Sequence, residues 1–567
     1  MKSNKLLTVI LVFAVIAAFA LSACSSNTPA GSSDSSSPAA STDSSGQADS
    51  AGSSGGSDNT AQQIAQTAAD YAKQIESEAH AGAVSSKDTL TFGCLADPGM
   101  ISLDSMLDFT QMPMNTACLS YFVCWDSEKG EFYSPVCDSY ALDADQMGVT
   151  FHIIPGIKMN DGNEFQASDL VTSIEAFRAH SGMSFQLDYI DLDNTKVIDN
   201  YTVDLRFKAV NGVWESSFEM FTLISGKAYD AVNGDISFYQ NPAGPQAYDV
   251  SEWVPGDHIT FTRFDDYYGG TPPLKTIVCK IISDPSAAYM ALQNGDIDLL
   301  WNLSGDEVQS AYTSDNLKLV TTGQNYTFYM GMNCANAALS DFRVRQAICM
   351  AVNQQDVIDG AFNGFAYPMK SILTPEAIGY DANAPFPAYD LDKAKQLLAD
   401  AGYGDGLTLR IVAQSTPEFQ LAVEVLTNQL AAVGITLQPS LMDYAAEQSV
   451  VFSNDTSGYD LYLKSNSNKA DSIAVIDNPM LTGATHWELS SDGSGAGFNA
   501  IFDQIRATLD INDRAKLYGD LQTYFFQSGL YWLPLAIPQT YIGMSKDLTG
   551  LTPYNAFQLN FDQAYFR

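Results

Sequence analysis

Positive charge is scarce in this sequence. Its 567 residues hold 28 Lys and Arg against 66 Asp and Glu, a formal charge of −38 at pH 7. Phosphate backbones are bound by clustered cations, so this balance argues against nucleic acid as a partner. Histidine is almost missing: the five present (His80, His152, His180, His258 and His486) are scattered, which disfavours a His-rich metal site. There is no C-x-x-C pair, no H-E-x-x-H, no Walker loop, and no G-x-G-x-x-G followed by a ribose-binding acid. Asp191-Leu192-Asp193-Asn194-Thr195-Lys196 opens like a calcium loop but has Lys196 where the turn glycine belongs. Gly52-Ser53-Ser54-Gly55-Gly56 matches the hydrolase pattern G-x-S-x-G, yet no strand precedes it and no helix follows. Carboxylates abound, and nothing marks two of them as an acid and base pair. These absences leave no catalytic residue, no metal and no cofactor to assign, and a secreted hydrolase stands only as a rival class.

Long apolar runs are also lacking, with one exception. Leu6 to Ala20 is apolar apart from Thr8, and Lys2 and Lys5 precede it. That is short for a membrane span and fits a signal-peptide core. Leu21-Ser22-Ala23-Cys24 follows and looks like a bacterial lipobox, which implies cleavage after residue 23, acylation of Cys24 and anchoring at the cell membrane. The seven other cysteines are an odd number, so they cannot all pair within one chain. Ser25 to Thr60 is almost all Ser, Gly, Ala, Asp and Pro, without Lys, Arg or a large apolar residue. Such a segment cannot bury enough surface to offset ordering, and the expectation is a disordered tether with a reach of roughly 30–35 Å. Ala61 to Ala83 is Ala- and Gln-rich with Ile64, Tyr71 and Ile75 near helical spacing, which fits a loose helix or more linker. The tether is therefore expected to fill 24–87, with the folded body starting near Asp88.

What is present in abundance is alternation of strand and helix patterns. Val149 to His180 organises the rest. Phe151, Ile153, Ile157 and Met159 alternate, Asn160-Asp161-Gly162-Asn163 turns the chain, and Ser168 is expected to cap a helix carrying Leu170, Ile174 and Phe177. Tyr248, Trp253, Pro255-Gly256, Tyr267-Tyr268-Gly269-Gly270 and Asn294-Gly295-Asp296-Ile297-Asp298 follow in order, then DFRVRQAICMAVNQQD from Asp341 and YDLDKAKQLLADAGYGDG from Tyr389. Ala394, Leu397, Leu398 and Ala401 form one apolar stripe that Gly402 ends.

In this order the blocks resemble the family 5 solute-binding proteins, the extracytoplasmic receptors of oligopeptide and nickel ABC importers. The resemblance runs from about Asp88 to about Gly550. It implies an α/β fold of the periplasmic-binding-protein kind (class II, three-subdomain type), two-lobed, with a hinge and an interlobe ligand cleft. Lobe 1 is expected to join 88–320 to 530–567, and lobe 2 to span 321–529. The implied function is capture of a small solute, peptide-class by resemblance, and delivery to an ABC permease driven by a separate ATPase. The chain itself would be a monomer without catalysis, lipid-anchored outside the cytoplasm. A ligand-sensing lipoprotein that reports to a receptor is the alternative.

The resemblance also implies site residues. Phe109-Thr110-Gln111 and Trp301 fall in regions that line the family's ligand site. Peptide-binding relatives read roughly "yDxxrxgWxaDyxdP", with the aspartate pairing the ligand's α-ammonium. Here Tyr459-Asp460 match, but Asn466 holds the tryptophan position and Lys469 the aspartate position. Asp471 restores an acid only if the loop shifts by two residues. A buried ammonium facing Lys469 would meet like charge, so Lys464, Asn466, Asn468 and Lys469 are expected to suit a polar or anionic solute or a blocked peptide.

Overall fold

The computed structural model describes residues 61, 63–70, 85–101, 117, 119–126, 129–181, 184–219, 221–321, 326–453, 457–467, 471, 484–555 and 558–567. Cys24, Phe109, Thr110, Gln111, Asn468 and Lys469 lie outside them.

The organising stretch folds as strand, turn and helix. Val149, Phe151 and Ile153 are buried along the strand Gly148–Ile153, and Gly162 turns the chain at φ +83°. The helix Ala167–His180 starts two residues earlier than expected, with Gln166 rather than Ser168 as its cap. The buried Asp169 explains the shift. One of its oxygens accepts the Gln166 backbone N–H at 2.8 Å and the other accepts that of Gly226 at 2.8 Å, closing a capping box. Ile157 and Met159 do not extend the strand. They sit in a tight hairpin whose one bridge is Lys158 to Glu164.

Three main sheets carry the molecule. The first has seven strands in the order Tyr248–Val254, His258–Arg263, Thr276–Ile281, Thr89–Cys94, Leu299–Leu300, Tyr541–Ser545 and Leu317–Thr321. Thr89–Cys94 lies at its centre, parallel to both neighbours, with Leu90 and Phe92 fully buried. The second has six strands, Ala366–Pro368, Trp532–Pro538, Tyr326–Met332, Leu461–Ser467, Leu407–Gln414 and Ile435–Met442. A four-stranded antiparallel sheet, built from 137–142, 148–153, 202–207 and 190–197, has a core of its own.

The chain crosses from the first sheet to the second between Thr321 and Tyr326 and returns between Pro538 and Tyr541. The described ends of the two crossings meet, with Thr321 in register with Tyr541 and its hydroxyl 3.2 Å from the carbonyl of Thr540. Two adjacent strand connections between lobes form a hinge. The return comes later than residue 530, because Trp532–Pro538 pairs with Tyr326–Met332 inside the second sheet. The tether also ends sooner than expected: residues 61 and 63–70 are helical, and Ile64 and Ala68 are fully buried against Leu292, Ile297 and Tyr541. Their i, i+4 spacing presents one apolar stripe to the first lobe.

Candidate functional site

In open α/β sheets, ligands lie beyond the carboxyl ends of the parallel strands. In the first sheet those ends are Cys94, Ile281 and Leu300, and in the second they are Gln414, Met442 and Ser467. Both sets converge on the crossings, because Thr321 ends a first-sheet strand while Tyr326, which begins a second-sheet strand, pairs with Ser467. The cleft is thus placed by topology.

On the second-lobe wall, the strand Leu461–Ser467 delivers the sequence-predicted residues. Its opening pair is structural. Tyr459 Oη donates to the carbonyls of Val451 and Ala484 at 2.9 and 2.7 Å. Asp460 accepts from the Arg410 backbone at 2.8 Å, from Arg410 Nη2 at 2.9 Å and from Asn336 at 2.9 Å. Asn466 is half-buried near the strand's end, and its carbonyl accepts from Thr327 Oγ1 at 3.1 Å. The Tyr326 hydroxyl donates to Ser465 Oγ beside it.

Lys464 does not face a ligand as expected. It is 5% exposed, and its Nζ lies 2.5 Å from Glu447 Oε2, roofed by the rings of Tyr444 and Phe452 at 5.3 and 5.1 Å. Burial pushes the Lys464 amine down and the Glu447 carboxyl up, and each charge partly opposes the other's shift. The helix Tyr444–Val451 holds Glu447 at zero exposure with Oε1 lacking a hydrogen-bond partner among the described residues. Trp301 sits at the carboxyl end of the first sheet, but its ring is 7% exposed and packs in the core with Phe92, Leu299 and Val320 rather than standing open as a cleft residue would. Its Nε1 is buried without a partner among the described residues.

Asp471 offers no substitute acid to a ligand. It is fully buried, with Oδ2 accepting from Arg514 Nε at 2.9 Å and Oδ1 from the Tyr518 hydroxyl. Arg514 also donates from Nη1 to the carbonyls of Thr508 and Leu509 at 3.0 and 2.7 Å. The sequence held no signal for this cluster, since its members come from segments 43 and 47 residues apart.

The same cluster is where the four-stranded sheet's side of the first lobe touches the second. Ser216 Oγ shares its proton between Glu219 Oε2 at 2.8 Å and the Asp471 carbonyl at 3.2 Å, Gly212 N–H donates to the Arg506 carbonyl at 2.6 Å, and Val213 joins the second lobe's core. Only glycine fits at 212, where a Cβ would stand 2.1 Å from the Thr508 carbonyl oxygen. Glu215 faces this junction, accepting from the Tyr140 hydroxyl at 3.0 Å. Burial raises its carboxyl, Tyr140 and Arg514 oppose that, and Asp471 adds to it. Among the described residues no group of three His, Cys, Asp or Glu could hold a metal ion, and no described helix is long and apolar enough to cross a membrane.

Residues 131–476 match the family model described as bacterial extracellular solute-binding proteins, family 5. The glutathione-binding protein GsiB of Escherichia coli K12 is 24% identical over 427 residues, covering 73% of this chain and 82% of that one. GsiB of Salmonella typhi is 24% identical over 440 residues, 76% and 85% of the two chains. Among solved structures, the ABC transporter substrate-binding protein CtaP of Listeria monocytogenes superposes with TM-score 0.74 at 20% identity, covering 85% of this chain and 100% of that one. NikA of Brucella suis in complex with Fe(III)-EDTA gives 0.75 at 19%, with 84% and 100% covered. DppA of Helicobacter pylori in complex with the peptide STSA gives 0.71 at 21%, with 84% and 98% covered. The family model covers more than half of the chain, and the chain belongs to the bacterial extracellular solute-binding proteins of family 5.

Proposed function

We propose that this protein is a lipid-anchored receptor that captures a small anionic or N-blocked peptide-class solute between its lobes and hands it to an ABC permease. The observation that carries the cargo class is the commitment of Asp471. Lys469 stands where peptide-binding relatives place the acid for a ligand's α-ammonium, and the nearest acid is held by Arg514 and Tyr518. A free α-ammonium bound there would meet positive charge with no counter-ion. Glutathione, which the curated relatives' name says they bind, is an anionic γ-linked tripeptide whose one ammonium has a carboxylate on the same carbon, a built-in counter-charge that an ordinary free tripeptide lacks at its N-terminus.

Titration calorimetry tests it. N-acetylated tripeptides should bind at least about tenfold tighter than the same tripeptides unblocked, a difference of about 1.4 kcal/mol. Tight binding of unblocked peptides that survives Lys469→Ala would overturn the cargo class. The anchor has its own test, mass spectrometry of the mature N-terminus. An acylated Cys24 as first residue is the expected result, and an unmodified Cys24 refutes the anchor.

A further inference from the structure

The helix at 61 and 63–70 carries two apolar stripes, and they meet different lobes. Ile64 and Ala68, four residues apart, are fully buried in the first lobe's core beside Leu292 and Ile297. Ala61 and Ala65, also four apart and also buried, line a half-open gap whose far wall is second-lobe, including Gln355, Gly364 and Phe365. Gln63, Gln66 and Asp70 face solvent.

The second lobe meets the helix with one turn, Asn363-Gly364-Phe365, between the helix Gln354–Phe362 and the strand Ala366–Pro368. A Cβ on Gly364 would stand 3.4 Å from that of Ala61, so methyl and turn are already close. The same turn rests on the first lobe directly. The Phe365 ring meets that of Tyr541 edge to face at 5.5 Å, and a Cβ on Gly305 would lie 2.6 Å from Asn363 Nδ2. From the return crossing, Gln539 N–H donates to the Phe365 carbonyl at 3.1 Å.

We infer that this helix is a strap across the hinge that favours the lobe angle seen here. Ile64 and Ala68 fix it to one lobe, so rotation about the crossings moves the Asn363–Phe365 turn relative to Ala61 and Ala65. Its second-lobe contact is made while the lobes also meet at Gly212 with Arg506 and at Ser216 with Asp471. Those junctions hold the lobes together, and the competing angles are wider. Two methyls against a glycine turn are a small contact, so the strap biases the equilibrium without locking it. By linkage, lobe angle in turn sets how firmly the helix is held. The Ser- and Gly-rich segment ends at Thr60, so it enters the described body at the hinge.

The full mature chain without cargo supplies the test. Gly212→Val drives the junction apart, because its side chain would overlap the Thr508 carbonyl, and gives a wider reference. Ala61→Glu with Ala65→Glu puts charge on the second-lobe stripe, where the gap's open side lets it reach water, and leaves Ile64 and Ala68 seated. In small-angle scattering, this double variant should move the radius of gyration at least halfway from wild type to the reference. A double variant that is folded by its urea midpoint and keeps the wild-type radius overturns the strap. Hydrogen exchange reads the coupling from the other end. Amides of 65–70 should exchange about fivefold faster in Gly212→Val than in wild type. Equal protection overturns the strap even where the glutamates unfold the helix, since a helix serving the first lobe alone would not sense Gly212. Neither readout involves cargo, so failure here leaves the proposed cargo class standing.

Discussion

Arg514→Met is expected to lower stability by about 3–5 kcal/mol, because it strands the fully buried Asp471 carboxylate without its cation. The loss is larger than that of a surface pair, for which exposed charges give at most about 1 kcal/mol. Asp471→Asn should cost less, since the amide oxygen can still accept from Tyr518 or Arg514. The effect should reach past the second lobe. Asp471 lies within the stretch that resembles the family's ligand-reading loop, and its carbonyl accepts from Ser216 across the lobes. Ser216→Ala leaves the ion pair intact and should loosen only the junction, weakening cargo several-fold with little change in unfolding midpoint. Urea denaturation and calorimetry together read both. An Arg514→Met protein within 1 kcal/mol of wild type would show that the pair contributes nothing net.

Which parts of this architecture were legible in advance follows from the range of the interactions involved. The helix at Leu391–Asp400 was readable because Ala394, Leu397 and Leu398 lie on one face, all three buried, and Asp390 caps it through the Lys393 N–H at 2.9 Å. Everything needed sits within one stretch of chain. The cap at Gln166 was missed because Asp169 also serves Gly226, 57 residues away, and that second bond fixes which residue starts the helix. The helix at 63–70 was underrated for a related reason. Its alanines carry little hydrophobic signal, and only the partner surface around Leu292 and Tyr541 turns Ile64 and Ala68 into core.

The site divides in the same way. The family motif falls on the stretch that folds as the strand Leu461–Ser467, and Asn466 is half-buried near its end. The resemblance put Trp301 in a region that lines the ligand site, yet a tryptophan there can turn into the core or out of it, and local sequence does not decide which. Lys464 illustrates the limit best. A lysine in a strand reads as solvent- or ligand-facing, and only Glu447, 17 residues earlier on a helix packed over the strand, brings it inside.

That pair makes the second large prediction. Lys464→Met should remove about 3–5 kcal/mol at neutral pH by leaving Glu447 charged and uncompensated at zero exposure. The deficit should depend on pH with a definite sign. Burial already holds the Glu447 carboxyl above its ordinary value while Lys464 pulls it down, so removing the cation raises it further. A carboxyl whose folded value exceeds its unfolded one contributes stability fully below the unfolded value, and loses it as pH rises through the folded value. Lys464→Met should therefore sit close to wild type near pH 4 and fall progressively behind towards pH 8. Urea midpoints across that range give the comparison, and an equal deficit at both ends would rule out an uncompensated Glu447 as the cause. The double variant Lys464→Met with Glu447→Leu should return to within about 1 kcal/mol of wild type, since apolar replacement of a buried pair is often neutral or stabilising. If that double variant folds as expected and still binds cargo, Lys464 has only a structural role. A well-folded double variant with cargo binding abolished would instead restore Lys464 as a residue that reads the ligand.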